Sequence, residues 1–251
     1  MAAVNYGAEL IGRRAVVTGA ASGIGAACAK ALAAHGVWTA CADIVSPDQT
    51  VAKIEADAGR SIPITCDVSS EEDVLALFAR VRQRIGRLDF LVHCAGVIHE
   101  KPLLETETKD FDRVMNINLR GTFLVGREGI RAMQPAGGRV ILIASDLGYL
   151  GRETFSPYVA SKHGVMGLMR SWAKEFAPQT LVNAICPGPI DTAMLSSDQM
   201  TEEWRQKEMD IPLARFGAPE DIADMAVFLT TDSSRFITGQ GMNVNGGSVM
   251  P

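Results

Sequence analysis

The stretch that decides the fold is RAVVTGAASGIG, at Arg14–Gly25. It opens with an apolar, β-branched run typical of a buried strand and continues into alanines and a leucine at helical spacing over Ser22–His35. A glycine-rich turn between a strand and a helix predicts a phosphate-binding site. We expect Gly19 to permit the tight turn, Gly23 to let the backbone approach a pyrophosphate, and Gly25 to let the helix meet the strand.

The alternation of strands and helices continues along the chain. Further strands are predicted at Val37–Ala42, Ser61–Cys66, Leu88–Cys94, Arg139–Ala144, Leu181–Cys186 and Met242–Val244, and further helices at Pro47–Ala58, Ser70–Ile85, Lys109–Met133, Tyr158–Phe176 and Ala218–Thr230. This order predicts an α/β fold, a doubly wound, Rossmann-type parallel sheet of about seven strands with helices on both faces. No linker or repeat divides the chain, so we predict one domain over residues 1–251. The turn-rich stretch Pro187–Gly217 follows a strand end and is a candidate substrate lid.

Composition excludes several classes of protein. The chain has 251 residues, 47% hydrophobic and 21% charged, which is typical of a globular domain. It contains no run of 18 apolar residues, so we expect no membrane span. A net charge of −5 disfavours nucleic acid as a partner. The five cysteines include no CxxC pair, and the spacing of His93, Cys94 and His99 is unlike a zinc site, so we expect no metal, no disulfide framework and a cytoplasmic location.

Asp43 follows the second predicted strand, where an acid accepts hydrogen bonds from an adenosine ribose. Its carboxylate would repel a 2′-phosphate, and neither Ile44 nor Ala21 supplies a cation for that phosphate. The sequence therefore favours NAD over NADP as the cofactor. Asp67, with Val68, ends the third strand in the same way and is assigned to the adenine edge, although Asp67 could equally cap the next helix.

A second group of residues has the chemistry of proton transfer. Tyr158 and Lys162 are spaced i,i+4 and so share one face of a predicted helix, where a lysine cation would lower the pKa of a phenol. By itself this pair fits an exposed helix face as well. However, Ser145 ends the preceding strand at the same edge of the sheet, where its hydroxyl can bind a substrate oxygen. Asn118 lies in an apolar helix and needs buried partners.

With these motifs in this order, the chain resembles the short-chain dehydrogenase/reductase family over essentially its whole length. The resemblance rests on TGAASGIG, Asp67-Val68, the Asn118–Gly121 run NLRG, Ser145, the Tyr158–Lys162 motif, Pro187-Gly188 with Thr192, and Asn245-Gly246-Gly247. It implies that Tyr158 is the acid/base, that Lys162 binds the nicotinamide ribose, that Ser145 orients the reacting oxygen and that Asn118 holds a water. The implied cofactor-binding set is Gly19, Ser22, Gly23, Ile24, Gly25, Asp43, Asp67, Val68, Cys94, Ala95, Gly96, Tyr158, Lys162, Pro187, Gly188, Ile190 and Thr192.

One motif departs from the family pattern. Where the family usually has Asn-Asn-Ala-Gly, this chain has His93-Cys94-Ala95-Gly96. A thiol is a weak hydrogen-bonding group, so we expect local repacking with His93 in a polar role and the chemistry retained.

The sequence leaves the substrate open. Candidate substrate contacts flank Ser145 and Tyr158 or come from the lid: Asp146, Leu147, Arg152, Phe155, Met194 and Leu195. Their charges favour a small polar, polyol- or sugar-like secondary alcohol, with a 3-oxoacyl thioester as the alternative. A non-catalytic NAD-binding scaffold and a purely structural subunit are further readings. The resemblance also implies a homotetramer packed through the two long helices.

Overall fold

The computed structural model describes residues 7–195, 198 and 200–251. Seven strands are β1 (Arg14–Thr18), β2 (Trp38–Asp43), β3 (Ser61–Thr65), β4 (Phe90–His93), β5 (Gly138–Ile143), β6 (Thr180–Pro187) and β7 (Gly241–Val244). The α-helices are α1 (Gly23–Ala34), α2 (Asp48–Ala56), α3 (Glu71–Arg84), α4 (Thr108–Val114), α5 (Gly121–Met133), α6 (Ser156–Phe176), α7 (Glu202–Met209) and α8 (Pro219–Thr230). Among the described residues, no helix is long and apolar enough to cross a membrane.

All seven strands form one parallel sheet in the order β3-β2-β1-β4-β5-β6-β7. The direction of winding reverses between β1 and β4. In such sheets ligands bind beyond the carboxyl ends of the strands at this reversal point. The glycine-rich turn leaves β1 there, and Cys94–Gly96 leaves β4 beside it. The predicted fold class is confirmed.

The sheet is covered on both faces because its strand residues alternate between two cores. Val16 faces a cluster completed by α3, α5 and α6, whereas Val17 faces a cluster completed by α1, α2 and α8. Both valines have no exposed surface. The near-continuous apolar strands of the sequence therefore reflect burial on two sides.

The predicted elements are confirmed with boundary shifts of a few residues, and two differ in substance. The long helix predicted at Lys109–Met133 contains a π-helical turn at Met115–Arg120, between α4 and α5. The candidate lid, predicted as irregular, includes α7, whose Thr201 cap accepts a hydrogen bond from the Trp204 N–H. The predicted cap of α3 is confirmed, because the Ser70 hydroxyl accepts from the Asp73 N–H.

Candidate active site

The glycine-rich turn has the backbone that its sequence predicts. Gly19 and Gly23 adopt positive φ angles of 67° and 51°. A Cβ on Gly19 would lie 2.9 Å from the Ala95 nitrogen, so this residue also lets the turns after β1 and β4 touch. A Cβ on Gly25 would lie 2.0 Å from the Gly19 carbonyl oxygen. These absent side chains leave backbone N–H groups open at the N-terminus of α1, which suits a pyrophosphate.

Gly25→Ala is expected to lower the free energy of unfolding by about 1–3 kcal/mol, because the new methyl forces α1 away from the turn. The same movement should weaken NAD binding. Urea denaturation and NAD titration measure the two effects. Gly151→Ala is the matched control, since a Cβ there meets nothing within 4 Å. Equal stability of the two variants would contradict the close packing at Gly25.

Thr18, at the end of β1, joins the two turns through its hydroxyl. The oxygen accepts hydrogen bonds from the Cys94 and Ala95 N–H groups at 3.1 and 3.2 Å. It also lies 2.8 Å from His93 Nδ1. Burial and the nearby Lys162 charge lower the pKa of His93 to about 3, so the ring is neutral. The neutral ring is hydrogen-bonded to the Thr18 hydroxyl through Nδ1, so the predicted polar role of His93 is confirmed.

The thiol of Cys94 packs against α1. A hydrogen bond with Cys28, together with burial, raises its pKa well above the usual thiol value. The thiol is therefore protonated at neutral pH and serves as a packing group beside the cleft. The family usually has an asparagine at this position, and the thiol is a weaker hydrogen-bonding group. In this chain the Thr18 hydroxyl holds the backbone of the turn.

Asp43 lies at the carboxyl end of β2, at the far end of the cleft from Tyr158. Its two carboxylate oxygens accept the N–H groups of Ala21 at 3.0 Å and Val45 at 3.3 Å. The acid is thereby fixed beside the glycine-rich turn. Ile44 next to it is 63% exposed and offers no positive charge.

Asp67 is not the cap of α3, since Ser70 has that position. One Asp67 oxygen instead accepts the N–H and hydroxyl of Ser69 at 2.8 and 2.7 Å. Asp67 and Val68 both line the cleft.

One cleft of about 820 Å³ runs along the carboxyl edge of the sheet. Every predicted cofactor and substrate residue lines it, as do Ser145, Tyr158 and Lys162. The cleft has further lining residues that the sequence did not assign to the site, and these come mostly from strand ends and the lid: Ile44, Cys66, Val97, Ile98, Glu100, Arg113, Ile117, Ile143, Ala144, Pro189, Ala193, Met200, Thr201 and Glu208. Those that follow a strand share that position as a signal, whereas Arg113, Ile117 and Glu208 lie on helices and carry no signal in the sequence.

Asn118 supports the cleft without lining it. It is 1% exposed and lies in the π-helical turn. Its side-chain oxygen accepts the Val97 N–H, and its amide donates to the Val97 carbonyl, both at 2.8 Å. A further bond at 3.1 Å joins the amide to the Ser161 hydroxyl on α6. Asn118 therefore ties the segment after β4 to the helix that carries Tyr158 and Lys162.

Ser145, Tyr158 and Lys162 meet at the nicotinamide end predicted for the cleft. Ser145 and Lys162 are each 7% exposed. The Lys162 ammonium donates to the Ile143 carbonyl at 2.8 Å and lies 5.5 Å from the centre of the Tyr158 ring. Burial lowers the pKa of Lys162 to about 8.

The pKa of Tyr158 is raised, whereas the sequence led us to expect that Lys162 would lower it. Burial raises it to about 12, a hydrogen bond with Ser145 lowers it, and the negative charge of Asp146 raises it. Desolvation of the phenolate is the largest of these effects. Tyr158 is consequently a phenol at neutral pH in this structure.

The strand end after β6 closes the cleft over the glycine-rich turn. A Cβ on Gly23 would lie 3.3 Å from the Thr192 methyl group. Gly188 fits against Asn245, whose carbonyl oxygen would be 2.8 Å from a Cβ at that position. Ile190 pairs with Gly217 in a short parallel bridge. Both ends of the candidate lid are thus anchored beside the cofactor-binding turn.

Arg152 links the loop after β5 to α7. Its guanidinium contacts the Glu208 carboxylate and lies 4.9 Å from the centre of the Phe155 ring and 5.7 Å from that of Trp204. Side-chain exposures of 23% for Arg152 and 11% for Glu208 show that the pair is largely shielded from solvent. The arginine is therefore partnered by the lid in this structure, which sequence spacing did not predict.

Comparison with known proteins agrees with this geometry. Residues 19–249 match a family profile described as Enoyl-(Acyl carrier protein) reductase. The chain is 35% identical over 247 residues to the 3-oxoacyl-(acyl-carrier-protein) reductase FabG of Thermotoga maritima, covering 96% of this chain and 100% of the relative. It is 39% identical over 243 residues to the cis-4-hydroxycyclohexanecarboxylate dehydrogenase of Sinomonas cyclohexanicum, covering 94% and 96%.

A solved structure shows the same fold. The crystal structure of a short-chain type dehydrogenase/reductase from Mycobacterium marinum superimposes with a TM-score of 0.92 at 31% identity, covering 96% of this chain and 97% of the other. Sequence, fold and profile agree over almost the whole length. The chain therefore belongs to the short-chain dehydrogenase/reductase family of oxidoreductases, which bind a nicotinamide cofactor.

Proposed function

We propose that the protein interconverts a small polar secondary alcohol and its ketone with NAD as the cofactor. The observation that carries this proposal is one continuous cleft with Ser145, Tyr158 and Lys162 at one end and Asp43 beside the glycine-rich turn at the other. A nicotinamide dinucleotide bound there would supply the hydride chemistry.

The cofactor fits the residues that line this cleft. The missing side chains at Gly19, Gly23 and Gly25 make room for a pyrophosphate, and Asp43 offers carboxylate oxygens to a ribose. Ile190 and Thr192 would hold the carboxamide at the opposite end, and Lys162 would hold the nicotinamide ribose.

In the proposed reaction Tyr158 moves the proton. During oxidation its phenolate accepts the proton of the substrate hydroxyl, and during reduction its phenol donates that proton to the forming alcohol. Ser145 orients the reacting oxygen, and its hydrogen bond with Tyr158 favours the phenolate. Asn118 holds the segment after β4, and we propose that it also positions a water that connects Lys162 with solvent.

The polar mouth of the cleft supports a small polar substrate. Glu100, Arg113, Asp146, Arg152 and Glu208 all line it. The Sinomonas relative, which by name acts on a hydroxylated ring acid, is compatible with this class. The FabG relative favours the second candidate, reduction of a 3-oxoacyl thioester.

A screen of purified protein tests the proposal. NAD and NADP are each supplied with polyols, sugar acids, cyclic and aryl alcohols and 3-hydroxyacyl thioesters, and the formation of reduced cofactor is followed. We expect turnover of a polar secondary alcohol with NAD. Turnover confined to the thioesters would favour the second candidate. An NAD-dependent rise in melting temperature without any turnover would instead favour a non-catalytic NAD-binding scaffold. The absence of both turnover and a rise in melting temperature would favour a structural subunit.

The remaining proposals concern the oligomeric state, the cellular location and the partners of the protein. We propose a homotetramer, although Val165 and Met169 on α6 cover the sheet and leave only part of that face, such as the exposed Gly167, for another subunit. Free cysteines at all five positions are compatible with a cytoplasmic protein. Neither nucleic acid nor membrane is proposed as a partner.

A further inference from the structure

The lid brings an ion pair into the cleft. Arg152 Nη2, in the loop after β5, donates a hydrogen bond to Glu208 Oε1 on α7, and both side chains line the cleft. A guanidinium has five N–H groups, and a carboxylate has two oxygens. Among the residues that the structure describes, this is the only hydrogen bond that either charged group makes to the protein. The pair therefore still offers N–H donors and one acceptor oxygen, Glu208 Oε2, to a ligand.

Phe155 connects this pair with the phenol that moves the proton. The rings of Phe155 and Tyr158 meet edge to face, with their centres 6.4 Å apart. The Arg152 guanidinium lies 4.9 Å from the centre of the same Phe155 ring. A substrate that contacts Tyr158 and Arg152 together therefore spans about the width of one aromatic ring. We accordingly place its second polar group across a six-membered ring from the reacting carbon.

The charges around Arg152 disfavour an acidic group at this place. Burial by itself would lower the pKa of Arg152, but the hydrogen bond and charge of Glu208, with the charges of Glu100 and Asp146, raise it. One largely shielded cation thus faces three carboxylates, and a further carboxylate from a ligand would be repelled. Arg113 also lines the cleft, but it is exposed on α4, where salt and water screen its charge.

A hydroxyl group matches the pair better than a charged group does. It can accept a hydrogen bond from an Arg152 N–H and donate its own proton to Glu208 Oε2, and it adds no charge. We propose that Arg152 and Glu208 bind a second hydroxyl group of the substrate and so make the enzyme selective for diols and polyols over simple alcohols and hydroxy acids. This inference rests on the proposed function, because it assigns the part of the same substrate that lies away from the reacting carbon.

Ligand binding to the enzyme–NADH complex tests this inference, since an alcohol cannot react there. Calorimetry measures the dissociation constants of cyclohexanol, cyclohexane-1,4-diol and 4-hydroxycyclohexanecarboxylate, the last two as separate cis and trans isomers. One isomer of the diol should bind wild type about ten-fold more tightly than cyclohexanol, which exceeds the factor of about two that its two equivalent hydroxyl groups supply. The hydroxy acid should bind more weakly than this diol.

Glu208→Ala removes the acceptor and leaves the Arg152 charge open. The diol should then lose about five-fold in affinity, and the hydroxy acid should gain about five-fold because its carboxylate takes the place of Glu208. Cyclohexanol, which does not reach the pair, should keep its affinity. If this variant does not fold, Glu208→Gln is measured, and the affinities should change in the same directions by smaller factors.

Glu153→Ala is the control for the attachment of the lid. Glu153 and Lys207 form a second ion pair between the same loop and α7, with side-chain exposures of 72% and 54%, and neither residue lines the cleft. This variant should bind all three ligands as wild type does. If it lost as much affinity for the diol as Glu208→Ala, the Arg152–Glu208 pair would be an anchor of the lid and the inference would fail.

Other results would also overturn the inference. These are a wild type that binds the diol no more tightly than cyclohexanol, that prefers the hydroxy acid, or that binds none of the three ligands. Equal losses for cyclohexanol and the diol in Glu208→Ala would do the same. The titrations need no turnover, so a failed alcohol screen removes the proposed function separately.

Discussion

Tyr158→Phe is expected to lower the rate of alcohol oxidation by about 10²–10⁴-fold, the range of a lost general acid–base group. The substitution removes only the hydroxyl that moves the proton, and the ring can keep its place beside Lys162. NAD should therefore still raise the melting temperature of the variant by nearly the wild-type amount. Steady-state kinetics and thermal unfolding with and without NAD measure the two halves of this result.

Tyr149→Phe is the matched control for the loss of a phenol. The Tyr149 hydroxyl donates to the Gly241 carbonyl at 3.4 Å, and Tyr149 does not line the cleft. We expect this variant to keep near-normal turnover. Near-normal turnover of Tyr158→Phe would reject Tyr158 as the acid/base.

A pH series adds an independent measurement. Burial favours the phenol form of Tyr158, whose pKa is raised to about 12, whereas oxidation requires the phenolate. Wild-type oxidation should therefore accelerate as the pH rises above neutrality, while reduction, which requires the phenol, should not. Any residual activity of Tyr158→Phe should lack this rise, because the titrating group has been removed.

The features that the sequence predicted well are those set by local chemistry. Glycines 19, 23 and 25 could be assigned from the sequence, because a turn between a strand and a helix needs residues without a side chain. The structure shows why: Gly19 and Gly23 have positive φ angles, and a Cβ on Gly25 would clash with backbone. The two-sided burial of Val16 and Val17 likewise follows from a continuous apolar run. Once the strands are placed, Ser145 after β5 and Tyr158 at the start of the following helix are expected at the same edge of the sheet, since the carboxyl ends of parallel strands share that edge.

The features that the sequence did not predict depend on distant partners. The segment EEWRQKEM has no apolar periodicity, yet it forms the helix α7. Glu208 on this helix pairs with Arg152 in the loop after β5, a contact between residues far apart in sequence. The hydrogen bond of His93 requires the Thr18 hydroxyl, which is remote in sequence. The pKa of Tyr158 depends on how deeply the phenol is buried, and a helical i,i+4 spacing carries no information about burial.

The second large expected effect is the preference for NAD over NADP, which we attribute to the charge of Asp43. Like charges about 4 Å apart repel by about 4 kcal/mol at an effective dielectric constant of 20, and partial exposure of the acid reduces this. We therefore expect wild type to favour NAD over NADP by about 10²–10³-fold in kcat/KM. A wild-type preference for NADP would contradict this role of Asp43.

Two substitutions separate the charge of Asp43 from its hydrogen bonds. Asp43→Asn keeps an oxygen that can accept the Ala21 N–H, so the turn should stay folded while the repulsion of a 2′-phosphate disappears. Most of the preference for NAD should then be lost. Adding Ile44→Arg at the exposed neighbouring position supplies a cation for that phosphate, and the double variant should prefer NADP. Asp48→Asn, at the start of α2 and outside the cleft-lining set, is the control and should leave the ratio unchanged. If Asp43→Asn kept the full preference, discrimination would have to come from the shape of the turn and not from the carboxylate.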